Sequence, residues 1–172
     1  MTEATLDTSG SKPAVRLERY LPDPPAVVWQ AITDRAQLKA WFPCDVIVEG
    51  GRWAVGAAIT FPFPVEVIDM TLTGTVLAVE EPVLLSYTWG TDEVLRFELT
   101  AEGNGTRLVL TDELHPGWAA RNAAGWDDCL DLLAGRAAEP GSWRRRFTAY
   151  AAAFEPAIGP QEGPPAEHKG DL

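Results

Sequence analysis

Between two polar ends, the apolar residues of this chain follow two rhythms. From Val15 to Tyr20 they alternate, with Val15, Leu17 and Arg19 on one face and Arg16, Glu18 and Tyr20 on the other, which predicts a first strand. The period then changes. Pro24-Pro25 can open a helix, because proline is tolerated in a first turn whose amides have no intrahelical partner. Val27, Val28, Ala31 and Ile32 repeat at helical spacing after it. Thr33-Asp34 offers an N-cap for a second short helix carrying Leu38, Trp41 and Phe42. A helix pair that ends in aromatics between two strand regions has the pattern of a pocket rim rather than of a catalytic motif.

Alternation then resumes. Asp45 to Val48 reads as a short strand closed by Glu49-Gly50-Gly51, and Trp53, Val55, Ala57, Ile59 and Phe61 predict a strand with one apolar face. Val65 to Val79 reads as a longer strand whose apolar parity changes twice, so a bulge or bend is expected near Gly74. Glu80-Glu81-Pro82 turns the chain into Val83 to Trp89, and Gly90-Thr91-Asp92 turns it into Val94 to Thr100, where Leu95, Phe97 and Leu99 share a face. A hairpin turn at Glu102 to Gly105 leads into Thr106 to Leu114, with Leu108 and Leu110 facing inward. Successive hairpins imply an antiparallel sheet, strongly bent if it holds six to seven strands.

After His115-Pro116-Gly117 the period becomes helical again. Ala119, Asn122, Ala123, Trp126, Cys129, Leu130 and Leu133 form one stripe from Trp118 to about Arg136, with Arg121, Asp128 and Asp131 elsewhere. A further helix is predicted from Ser142, as its cap, to Phe154, with Trp143, Phe147, Tyr150 and Phe154 at helical spacing. The expected organisation is therefore a flexible polar arm (1–13), an α+β domain (14–155, core 14–136, extra helix 142–154) and a disordered Pro/Gly-rich tail (156–172).

Composition narrows the partners. With 172 residues, 46% hydrophobic and 23% charged, the chain suits one soluble domain. It has no apolar run near the roughly 20 residues a membrane helix needs, and its acidic, polar start is unlike a secretory signal. A cytoplasmic location and no membrane partner are the expectation. A net charge of -11 argues against nucleic acid, which demands clustered cations. Arg144-Arg145-Arg146 is the one basic run, and consecutive residues on a helix point in different directions, so a solvated surface is expected there. Cys44 and Cys129 read as reduced packing residues. No metal site is expected from two histidines, one of them His168 in the tail, and no nucleotide loop, nucleophile elbow or triad calls for a cofactor.

One strand, two short helices, an antiparallel run and a long C-terminal helix is the layout of the helix-grip fold. The chain resembles the activator-of-heat-shock-protein-90-ATPase homologue family, within the START-like (SRPBCC, birch-pollen-allergen-like) superfamily. The resemblance rests on Val28-Trp29, Ala31, Thr33-Asp34, Leu38 and Trp41-Phe42, then on Gly50-Gly51-Arg52-Trp53 and Gly74-Thr75-Val76. Pro82 with Leu85 to Trp89, Gly105-Thr106-Arg107-Leu108 with Leu110, and Gly125-Trp126 with Leu130 and Leu133 complete it over roughly residues 14 to 136. The chain departs from a typical small member in its longer approach through residues 115 to 124 and in the helix from Ser142. The second, chaperone-binding domain of the cochaperone that names the family has no room here.

The resemblance implies a ligand cavity between the curved sheet and the long helix. Strand parity and the helix stripe propose its lining: Trp53, Ile59, Phe61, Met70, Leu72, Tyr87, Trp89, Phe97, Leu110, Trp126 and Leu130, with Trp41 and Phe42 at the mouth. The competing reading is that these residues fill a core. The chain has seven tryptophans, each with an N–H that needs a partner when buried, which favours a cavity near Trp41, Trp53, Trp89 and Trp126. Trp29 suits packing of the first helix, and Trp118 and Trp143 packing of the extra one.

For proton chemistry the candidates are Asp112 and His115. Asp112 shares parity with Leu108 and Leu110 and so points inward, where burial would raise its pKa and let it hold a ligand hydroxyl or act as a general acid; a bend letting it reach water is the alternative. His115 lies in a sequence that reads as a turn. Three functions are consistent with this: a START-like protein that binds a hydrophobic or aromatic small molecule, a polyketide cyclase or aromatase-like enzyme on the same scaffold, and a cochaperone-like interaction module. The chain would be a monomer or homodimer, and the first function is expected.

Overall fold

Eight strands form one antiparallel sheet in the computed structural model, which describes residues 3–165. They are β1 (Thr5–Asp7), β2 (Ala14–Leu21), β3 (Ile47–Val48), β4 (Ala58–Pro62), β5 (Thr71–Glu80), β6 (Leu84–Trp89), β7 (Glu93–Glu102) and β8 (Gly105–Glu113), in the order β1-β2-β8-β7-β6-β5-β4-β3. Between β2 and β3 come α1 (Pro25–Thr33) and α2 (Arg35–Leu38). These carry the chain from one side of the sheet to the other, and the hairpins then step back until β8 pairs with β2. α3 (Ala119–Leu133) packs on β2, α1 packs on β7 and β8, and α4 (Ser142–Ile158) packs on α3. This is the helix-grip α+β architecture, with one strand more than expected.

That extra strand comes from the segment expected as a flexible arm. Thr5, Leu6 and Asp7 pair with Arg16, Val15 and Ala14, and the buried Ala4 donates its amide to Tyr150 Oη at 2.9 Å. The other end also differs from expectation. Pro156 lies within α4, and residues 159–165 return across α3: the Gln161 amide accepts from Ala120 N at 2.9 Å and donates to the Pro116 carbonyl at 3.0 Å. The rest of the expected disordered tail, 166–172 with His168, lies outside the described residues.

Three further expectations are corrected by backbone chemistry. Trp53 to Ala57 is not strand: Gly56 has φ of 88°, in the left-handed region, and Val55 is exposed, so the apparent alternation precedes β4. Val65 to Met70 is a turn, with Val67 N and Ile68 N both donating to the Pro64 carbonyl, so β5 starts only at Thr71. Gly74 is not the bulge. It pairs regularly with Ile59, and a Cβ there would sit 2.0 Å from the Thr88 carbonyl oxygen, so close approach explains the glycine; the register shift lies between Val76 and Ala78. Asp34 does cap α2, accepting from Ala36 N at 3.4 Å, but Ser142 is the first residue of α4 rather than its cap and donates to Asp128 Oδ1 at 2.9 Å.

Candidate functional site

The inward face of the sheet is filled by rings. Phe61 lies 5.7 Å from Tyr87, Tyr87 6.1 Å from Phe97 and Phe97 6.2 Å from Trp41, while Phe42 lies 5.5 Å from Trp126. Trp41, Phe42, Ile59, Phe61, Tyr87, Phe97, Leu110, Trp126 and Leu130 are all buried in one continuous core. Burying each such side chain is worth roughly 1.5–3 kcal/mol, which is sufficient reason for their presence. Trp41 finds its N–H partner in the Ala31 carbonyl at 2.9 Å. Trp53 lies apart from Met70, Leu72 and Trp89: its ring edges a polar groove of about 820 Å³ beside α1, and its N–H donates to the Thr33 carbonyl at 2.9 Å.

Met70, Leu72 and Trp89 do come together, at the other end of the sheet. With Phe63, Val67 and Trp143 they line an apolar cleft of about 260 Å³ between the 64–70 turn, the β6–β7 turn and the helices, a volume near the lower end of small-molecule sites. Trp89 stands 5.1 Å from Trp126, so the ring core forms the inner wall of this cleft. The Trp89 indole N–H is buried without a hydrogen-bond partner among the described residues. The returning segment reaches the same cleft with Pro164 and Pro165.

One wall is polar. Glu93 begins β7 directly opposite Trp89, and Asp112 lies on β8 between Leu95 of β7 and Val15 of β2. Asn122 and Trp126, four residues apart on α3, share the helix face that meets this end of the sheet. The Trp126 indole donates to Asp112 Oδ2 at 2.9 Å; Asn122 Nδ2 donates to the same oxygen at 3.1 Å and to Glu93 Oε2 at 2.9 Å. Asp112 is completely buried, as its parity with Leu110 predicts, and its Oδ1 has no fixed donor among the described residues. Glu93 is half-buried and forms part of the cleft wall beside Asn122.

Burial drives both carboxyls upward from their ordinary range. For Glu93 burial is the largest cause, Asp112 adds to it, and Asn122 and Arg121 oppose it. For Asp112 burial is again first, opposed by hydrogen bonds from Trp126, Asn122 and Glu93. Both carboxyls are thus pushed toward the protonated form, Glu93 with the charge of Asp112 adding to burial, which favours one proton shared by the pair. Because both N–H donors use Oδ2, Oδ1 is the oxygen left for the shared proton. Chemically, the pair can donate, accept or exchange a proton at the edge of an apolar cleft.

Sequence parity located Asp112 but not Glu93, although the signal was present: Leu95, Phe97 and Leu99 share the inward face, and two residues back along the strand is Glu93. His115 is an exposed turn residue whose Nδ1 accepts from Gly117 N at 3.2 Å, and its ring lies 5.2 Å from Trp118. It is not part of the cleft lining. Trp118 packs on that turn and under Arg121 (4.9 Å), while Trp143 stacks on Phe147 at 5.1 Å, with its own ring reaching the cleft. Both cysteine thiols are free, and burial pushes them up, that of Cys129 to about 12. Among the described residues no group of three or more potential metal ligands occurs, and no helix is long and apolar enough to cross a membrane.

Architecture and topology place the protein in the helix-grip, SRPBCC class. The chain belongs to the Activator of Hsp90 ATPase homolog 1-like protein family (AHSA1), whose profile matches residues 23–138. Among solved structures it is similar to CalU16 from Micromonospora echinospora, at 21% identity and a TM-score of 0.68 over 89% of this chain and 95% of that one. It is similar also to the conserved protein of unknown function EF2215 from Enterococcus faecalis, at 22% identity and a TM-score of 0.73 over 89% and 91% of the two chains. DynU16, a protein in the dynemicin biosynthetic locus, matches at 26% identity and a TM-score of 0.60 over 71% of this chain but 46% of its own. No curated protein matches the sequence.

Proposed function

We propose that the protein binds a hydrophobic or aromatic small molecule in the cleft between the 64–70 turn, the β6–β7 turn and helices α3 and α4. The observation that carries this reading is an apolar hollow of about 260 Å³ walled by Phe63, Met70, Leu72, Trp89 and Trp143, with a polar group, Glu93, at one point of its wall. Apolar walls supply affinity, and a few polar groups, here Glu93 with Asn122 and Arg121, supply orientation. The similarity to DynU16, a protein in a biosynthetic locus, favours a small molecule over a protein partner. The ligand position is thus at the end of the sheet rather than inside it, where the rings of Phe61, Tyr87 and Phe97 touch one another.

Tryptophan fluorescence with a panel of two- and three-ring aromatics tests the reading, because Trp89 and Trp143 both face the cleft. Binding is expected to quench or shift the emission, and Val67→Trp, which fills the cleft from an existing turn, is expected to weaken it at least about tenfold, equivalent to about 1.4 kcal/mol. No spectral change with any member, together with no small molecule retained in native mass spectrometry, would count against a ligand-binding cleft.

The Glu93–Asp112 pair favours a second reading, a cyclase-like enzyme in which Glu93 delivers a proton and Asp112 takes one up. Once a substrate is in hand, Glu93→Gln and Asp112→Asn should each reduce kcat at least about 100-fold in that case. Full turnover by both variants leaves the binding function alone.

A further inference from the structure

Charge balance at the cleft points to a more specific ligand class. Glu93 and Asp112 together can carry two negative charges. The groups that face them are Asn122 and Trp126, both neutral, and Arg121, all from α3. Arg121 is the cation that acts on Glu93, yet it is already engaged. It donates to the Gly163 carbonyl at 3.1 Å, lies 4.9 Å over the Trp118 ring, and stands 3.9 Å from the Glu162 carboxylate of the returning segment. Among the described residues, the three nearby carboxyls of Glu93, Asp112 and Glu162 therefore outnumber the one cation by two.

The deficit has a local structural sign. Asp112 is fully buried, and both of its N–H donors meet Oδ2, so Oδ1 has no donor among the described residues and is the oxygen left for a proton shared with Glu93. A proton is an exchangeable cation. Trp89 pairs with Glu93 across the strands, Phe63 and Trp143 line the same cleft, and aromatic faces attract ammonium groups by about 0.5–2 kcal/mol each, most where water is excluded. Among the described residues Arg121 is the one cationic side chain of the cleft wall.

Building on the cleft reading above, we propose that the ligand is a hydrophobic ammonium compound: an aromatic or polycyclic body in the apolar cleft, with its cationic nitrogen at Glu93, replacing the proton shared with Asp112. On binding, the Glu93 proton leaves to solvent, the carboxylate pair becomes doubly charged, and the ligand ammonium supplies the compensating charge and N–H donors. Apart from the Glu93 O–H bond, whose proton passes to buffer, no covalent bond changes.

Three probes that share one ring system test it: 1-naphthylmethylamine, 1-naphthalenemethanol and 1-naphthoic acid, titrated calorimetrically into the full-length protein at pH 7 in two buffers of different ionisation enthalpy. The amine is expected to bind at least about tenfold more tightly than the alcohol, and the acid most weakly. Amine binding should release a proton, approaching one per site, and alcohol binding none. Glu93→Gln should remove the amine preference over the alcohol and the proton release; Asp112→Asn should lower the preference with the Glu93 carboxyl still present. Equal affinity for amine and alcohol, or an amine preference that survives Glu93→Gln, overturns the ammonium assignment but leaves the cleft reading in place. Failure of all three probes to bind overturns the cleft reading and the assignment together.

Discussion

Helix α3 holds two buried carboxylate clusters at opposite ends, and they are built on opposite principles. Toward its C-terminal end, Asp127 and Asp131 face Arg19 of β2, with 2.7 Å and 3.2 Å contacts, and Arg146 of α4 adds a 2.6 Å contact to Asp131 and a bond to Asp128. Tyr150 Oη donates to Asp127. Burial raises the Asp131 pKa, but Arg146 and Arg19 outweigh it and hold the carboxyl below its ordinary value. Toward the N-terminal end, Asp112 and Glu93 meet neutral donors and one already engaged arginine, and both are pushed upward. The first cluster ties β2, α3 and α4 together. The second leaves an exchangeable proton beside an apolar cleft, which is how a ligand or proton site differs from a structural ion pair.

Breaking the compensated cluster gives the largest effect. Arg19→Met removes one cation from two buried carboxylates, and urea unfolding should show a loss of about 3–5 kcal/mol. The next prediction concerns pH, where the two clusters act with opposite sign. Glu93 has a folded value raised above its ordinary 4.5, so its contribution is complete below that pH and is lost as pH rises through the folded value. Asp131 is lowered from 3.8, so its contribution is present above that pH and is lost on acidification. Urea midpoints should accordingly decline from pH 5 toward pH 9, and Glu93→Gln should flatten this decline while leaving the acid limb intact. A smaller effect follows from Tyr150→Phe, which removes one hydrogen bond to a buried carboxylate and should cost about 1–3 kcal/mol. The smallest is Glu93→Gln at pH 5, where a neutral amide replaces a neutral acid and stability should change by no more than about 1 kcal/mol.

Both clusters were partly legible in the sequence, for different reasons. Arg19 stood in register with Val15 and Leu17 on the face of β2 that turns out buried, and Asp127 and Asp131 have the i, i+4 spacing of one helix side. Only the pairing of β2 with α3 was missing, and that is a tertiary fact. The same limit explains Arg146, expected on a solvated surface within a basic run. Arg144 and Arg145 are exposed, but Arg146 turns into α3, because a helix presents three consecutive residues in three directions. Strand parity found Asp112 because β8 is regular from Gly105 to Glu113. It lost Glu93 because that residue adjoins a turn, where polar residues are unremarkable. Of the expected cavity lining, alternation identified the inward positions but could not decide whether facing rings leave space. Phe61, Tyr87 and Phe97 meet, whereas Met70, Leu72 and Trp89 border a hollow. The 64–70 turn carries the alternation of a strand and the returning segment no period at all, so the sequence could not have placed the mouth of this hollow.

The distinction between the clusters rests on Glu93 carrying a proton at neutral pH. Carbon-13 NMR of protein labelled at the aspartate and glutamate carboxyl carbons, titrated from pH 3 to pH 10, measures this directly, with Glu93→Gln assigning the resonance. The account predicts one glutamate carboxyl, absent in Glu93→Gln, that stays protonated through pH 7 and titrates together with an aspartate resonance lost in Asp112→Asn. If the Glu93 resonance titrates near its ordinary value of 4.5, the pair holds no shared proton and the central claim is contradicted.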